Sequence, residues 1–107
     1  MLRKVRSLLA LKLYPMKNHT KVWLKSRGLY HSNMVADDLN VLDEWDGSGL
    51  VVDINHISPR QRGGSKLKDS PYNLIGLTRE NHNKFEAGLI DKGEMLLKVK
   101  QILDDTQ

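Results

Sequence analysis

The alternation of apolar and polar positions divides the chain into short elements. From residue 2 to residue 14, leucines at 8, 9, 11 and 13 interleave with cations at 3, 4, 6 and 12. This is the pattern of a short basic amphipathic helix, and Pro15 ends it. Residues 19 to 26, HTKVWLKS, read as a second helix, with Asn18 as N-cap and Gly28 just past its end. Val22 and Trp23 are its expected buried side chains, and His19 and His31 read as surface histidines without a partner at metal-ligand spacing. Residues 32 to 49 lack periodicity and hold Asp37, Asp38, Asp43, Glu44 and Asp46. Their spacing does not fit a calcium loop, so they read as a solvated acidic connector, with Trp45 tucked onto the core.

After the turn at Asp46-Gly47-Ser48-Gly49, the β-branched run Leu50 to Ile57 predicts a strand, and Asn73 to Leu77 a second one. The long basic loop between them is the kind that small domains keep for function. Thr78 caps a helix from Arg79 that Gly88 ends or weakens. A last helix, about 92–104, follows an Asp91…Glu94 capping box and buries Met95, Val99, Ile102 and Leu103. The fold class is therefore α+β, in one domain spanning 1–107. Its core lies at about 50–88, with a helical extension over about 1–30.

Composition narrows the function. The 107 residues are 39% apolar, enough for one modest core. No cysteine is present, which excludes disulfides and Cys-based zinc knuckles. A net charge of +4 suits a polyanionic partner. No apolar run approaches the ~20 residues of a membrane span, and the basic start lacks the form of a secretory signal. A cytoplasmic protein is the expectation.

The chemistry concentrates in Val52–Glu86. Hydrolysis of a phosphodiester needs a base for water, stabilisation of negative charge, and cations to hold the backbone. His56, at the strand end, is the best general base. His82 and Glu86 share a helix face at i,i+4, where both can reach one metal ion, and Asn55 offers an amide oxygen. Asp53 lies on the same strand face as Asn55. Asn73 can pin the loop by bonding backbone groups. Arg60, Arg62, Lys66 and Lys68 decorate the loop, Gly63-Gly64 permits close approach of a phosphate, and Arg79 adds a cation at the helix start. Taken singly, each of these has an ordinary structural explanation. Order and spacing together favour the chemical one.

This stretch resembles the HNH endonuclease family. The matching residues are His56-Ile57 with Pro59-Arg60 and Gly63-Gly64, then Asp69, Asn73-Leu74-Ile75, Leu77-Thr78-Arg79-Glu80 and His82. They cover about a third of the chain and are more specific than a bare His…Asn…His. The resemblance implies a ββα-metal (His-Me finger) core, a hairpin and helix around one divalent ion, of the small phage or bacterial type. It implies His56 as general base, Asn73 as the residue that holds the loop and orients the base, and His82 as metal ligand. Asn55 stands where the family usually has Asp or His as the second ligand, and Glu86 where some members add a helix ligand. The implied activity is DNA nicking or cleavage that leaves 5′-phosphate and 3′-hydroxyl ends. Magnesium or manganese is the expected cofactor, with zinc or nickel as alternatives.

Two departures stand out. The zinc-binding cysteine pairs of many small members are absent. Asn55 is a poorer ligand for a hard cation than carboxylate or imidazole. A catalytically weak or inactive DNA-binding module is thus a rival reading. A phage packaging accessory acting with a terminase is another, and a homodimer would suit double-strand cleavage.

Overall fold

The computed structural model describes residues 16–31, 40–58 and 68–106. The expected basic helix over 2–14, Asp37, Asp38 and the loop residues Arg60, Arg62, Gly63, Gly64 and Lys66 lie outside them. The described elements are α1 (Asn18–Ser26), β1 (Asp53–His56), a 3-10 turn (Pro71–Asn73), β2 (Leu74–Leu77), α2 (Arg79–Glu86) and α3 (Lys92–Thr106). This is a small α+β fold with a two-stranded antiparallel sheet and three α-helices among the described residues. None of these helices is long and apolar enough to cross a membrane.

The hairpin register pairs Asp53 with Leu77, Ile54 with Gly76, Asn55 with Ile75 and His56 with Leu74. Alternation then sorts the side chains. Ile54, His56, Leu74 and Gly76 share one face, and Asp53, Asn55, Ile75 and Leu77 share the other. The first face packs on α1, where Trp23, Leu24 and Leu74 are buried against Ile54. The second packs on α3, where Ile75, Leu77, Met95, Val99 and Leu103 join Ile57. Because β2 is covered on both faces, all four of its residues are buried. Gly76 is required by this sandwiching. A Cβ there would lie 2.8 Å from Trp23 Cζ2 and 2.9 Å from Val51 Cγ2.

Several boundaries differ from expectation. The first strand is Asp53–His56 rather than 50–57. Outside it the pairing reduces to a Leu42–Leu50 bridge and to single bonds from Val52 N to Leu77 O and Ile57 N to Asn73 O. Asn73 closes the 3-10 turn instead of opening β2. Lys17 takes the N-cap position of α1, and Asn18 is its first helical residue. Leu24 and Thr20 are buried with Trp23, whereas Val22 is half-buried. Ile102, expected in the core face of α3, is only half-buried beside Met95, Val99 and Leu103. The other capping signals agree. Thr78 accepts from Asn81 N, Gly88 adopts φ +79°, and Asp91 accepts from Glu94 N at 2.9 Å. Trp45 packs partly buried on the core.

The acidic connector is the clearest correction. Asp43 and Glu44 are buried hubs, not solvated charges. Asp43 Oδ1 accepts from Trp45 N and Asp46 N, while Oδ2 accepts from Thr78 N and Asn81 Nδ2, which anchors the start of α2. Glu44 Oε1 accepts from Trp23 Nε1 at 2.7 Å, Gly76 N at 2.9 Å and Arg27 Nη2 at 3.2 Å, and Oε2 accepts from Arg27 Nε at 3.0 Å. The Arg27 and Glu44 side chains are only 5% and 7% exposed. Removing one member of a buried pair leaves the other charge uncompensated, at about 3–5 kcal/mol. Glu44→Ala should therefore lower the unfolding free energy by about that amount in urea melts. A loss under 1 kcal/mol would show that the pair does not anchor the fold.

Candidate functional site

The expected site residues divide between the two faces of the hairpin. Asp53 and Asn55 face α2. His82 Nδ1 lies 2.9 Å from Asp53 Oδ2, and Arg79 Nη1 lies 3.2 Å from the same oxygen. Arg79 Nη2 reaches Asp53 Oδ1 at 3.3 Å. Both Asp53 oxygens thus have partners in α2, and the carboxylate holds the His82 imidazole. Accepting Nδ1–H fixes the His82 ring and leaves Nε2 with its lone pair. That Nε2 stands 3.4 Å from Glu86 Oε1. An imidazole nitrogen and a carboxylate oxygen at this spacing can be ligands of one cation.

Asn55 contributes to the same region. It is buried, and its Nδ2 has no hydrogen-bond partner among the described residues. Turning the amide over exchanges nitrogen for oxygen, an assignment set by surroundings rather than shape. Asn55, His56, His82 and Glu86 line one cleft of about 460 Å³, with Ile54, Ile57, Phe85 and Lys92 completing its wall. Lys92 is a cation that the sequence did not single out. Within the cleft the His82 imidazole, the Glu86 carboxylate and the orphaned Asn55 amide suit a divalent ion, with fewer charged donors than hard cations favour.

The His56 side chain faces the other way, toward α1. Its Nε2 lies 2.8 Å from Asp69 Oδ1, and its ring packs against that of His19, centroids 4.6 Å apart and planes tilted by 55°. Asp69 accepts Nε2–H, so Nδ1 carries the basic lone pair. Asn18 Nδ2 donates to the other Asp69 oxygen at 3.0 Å. The Asn18 hydrogen bond, and then that from His56, holds the Asp69 carboxyl below its usual range against the opposing effect of burial. His19, His56 and Asp69 present ligand atoms that all lie within 4.8 Å of one another, so this cluster could hold a metal ion. One correction follows: His19 is not an isolated surface histidine. Asp69, to which the sequence assigned no role, is a partner of the expected base. No spacing in the sequence pointed to His19, because α1 comes against β1 through tertiary packing of Trp23 and Leu24 on the hairpin.

Asn73 pins the loop as expected. Its Oδ1 accepts from Ser58 N at 2.8 Å, and its Nδ2 donates to Ser58 O at 3.0 Å and Lys68 O at 2.8 Å. Both ends of the 59–67 loop are thereby tied to one side chain. Of the expected DNA contacts, Lys68 is half-buried at the loop's end and Arg79 is exposed beside Asp53. Arg60, Arg62 and Lys66 are outside the described residues.

Burial, and then the neighbouring His56, push His19 below its ordinary 6.5, while Asp69 opposes the shift. The unfolded chain then binds this proton more readily than the folded one. Its contribution to stability is fully present above pH 6.5 and is lost as pH falls below it. Urea melts in EDTA should show wild type losing stability relative to His19→Ala as pH drops from 7.5 to 5. Parallel pH profiles would contradict this burial effect. Comparison with protein-family models, characterised proteins and solved structures finds no match to this chain.

Proposed function

We propose that the chain is a metal-dependent DNA endonuclease of the HNH type, with the hairpin and α2 forming a ββα-metal core. The observation that carries this reading is the joint arrangement at β1 and α2. His82 is oriented by Asp53 with Nε2 facing Glu86, and the orphaned Asn55 amide and His56 border the same cleft. The resemblance of His56, Asn73 and His82 to the family's residues supports it.

In this mechanism Asp69 holds the His56 ring through Nε2, and Nδ1 takes the proton from the attacking water. Asn73 fixes the strand end that carries His56 by tying Ser58 and Lys68 together. His82, Glu86 and Asn55 would hold one divalent ion, magnesium or manganese before zinc or nickel. When bound, such an ion neutralises charge on the phosphate and on the departing 3′-oxygen. Lys92 and Lys68, with the loop cations Arg60, Arg62 and Lys66, attract the DNA backbone. Arg79 stays close to Asp53 and adds positive charge at the rim.

A second reading, a DNA-binding module with little or no catalysis, draws on two observations. Asn55 is neutral, and the His56 side chain is turned toward α1. Nicking of supercoiled plasmid with magnesium, manganese or nickel, and in EDTA, separates the two. Cleavage should need the metal, and His56→Ala should reduce it at least about 100-fold while DNA binding persists. Cleavage by His56→Ala at the wild-type rate would remove His56 as the base. No cleavage with any metal, with DNA still bound, would favour the second reading. Asp53→Asn should weaken metal affinity by about 10–100-fold, measured as the metal concentration for half-maximal nicking. An unchanged midpoint would mean that Asp53 does not orient a ligand.

A further inference from the structure

We infer that His19, His56 and Asp69 form a second metal site, selective for zinc-like ions, that competes with the base role of His56. The competition rests on the reading of His56 given above, while the site itself does not. Two imidazoles and one carboxylate are the donor set of open zinc sites and of other borderline transition ions. The donors come from three separate places in the chain: α1, the end of β1 and the residue before the Ser70-Pro71 turn.

The geometry is close to what such an ion needs. Ligand atoms about 2 Å from a tetrahedral zinc ion lie about 3.3 Å apart. The His56 Nε2 to Asp69 Oδ1 distance is 2.8 Å, and the full set lies within 4.8 Å. The outer support is already in place. Asn18 Nδ2 holds the Asp69 oxygen turned away from His56, as outer partners of metal ligands do. Asn73 ties Lys68, next to Asp69, to Ser58, two residues after His56.

Charge decides which ion. The cluster offers one carboxylate, and the positive charges of Lys17 and Lys68 act on His19. Magnesium, held chiefly by anionic oxygens, is disfavoured there. Zinc, cobalt and nickel bind imidazole strongly and are favoured. An ion at this site uses the imidazole that would otherwise accept the proton of water, so the same residue cannot do both. The predicted consequence is a protein that needs one class of metal at α2 and is restrained by another at α1.

The test is a titration of the full chain with Co²⁺ and Zn²⁺ in excess magnesium. It is read by the visible absorption of bound Co²⁺ and by the ring signals of the four histidines. One equivalent of Zn²⁺ should shift His19 and His56 together and leave His31 unmoved. Loss of a ligand costs no less than loss of an outer partner, so His19→Ala and Asp69→Asn should weaken binding at least about tenfold, with His82→Ala near wild type. The wild-type ring shifts decide the matter even if a variant fails to fold. Zn²⁺ moving only His82, or no saturable binding, would overturn the site. The titration needs no cleavage, so an inactive enzyme would remove the nuclease reading and leave the site to be judged on binding.

Discussion

The buried Arg27–Glu44 pair holds this small protein together. Two charges removed from water cost several kcal/mol each, and attraction alone need not offset that. Here nearly every donor and acceptor is used. Glu44 accepts from Trp23, Arg27 and Gly76, and Arg27 also donates to Ser26 Oγ, Pro71 O and Leu74 O. One ion pair therefore links the end of α1, the turn before the hairpin, the 3-10 turn and β2. Asp43, its neighbour, does the same for the start of α2. A core of modest size gains its alignment from these two carboxylates.

That alignment sets the chemistry. With β2 fixed between Trp23 and α3, the antiparallel register places Asn55 toward α2 and His56 toward α1. The hairpin is thus a wall with chemically distinct sides. On one side Asp53 orients His82 beside Glu86. On the other, Asp69 and His19 surround His56. The cleft runs past the strand end where the two meet. A one-residue slip would exchange the sides, and the burial of Ile54 and Ile75 against different partners opposes it.

The local readings that succeeded were those in which a single residue suffices. Thr78 caps α2, Gly28 and Gly88 take positive φ after their helices, and Asp91 caps α3. Asn73 could be read as a loop clamp because a side-chain amide mimics the backbone groups it bonds. The strand limits were less legible. Val52 and Leu50 have strand composition, but neither lies in a continuous ladder and both are exposed. The acidic connector misled because carboxylates near Gly and Ser usually face water. Nothing local reveals that Trp23 and Gly76 present their N–H groups to Glu44.

The sequence by itself determined the class of elements, the caps of α2 and α3 and the Asn73 clamp, since these follow from residue type and short-range spacing. Only the tertiary structure decided which of the candidate site groups meet. Asp53 became the support of His82 because α2 crosses the face on which strand alternation places it. Asp69 and His19 joined His56 because Trp23, docked on Glu44, brings α1 against the hairpin. Such contacts join residues far apart in the chain, and burial and hydrogen bonding at other positions fix them.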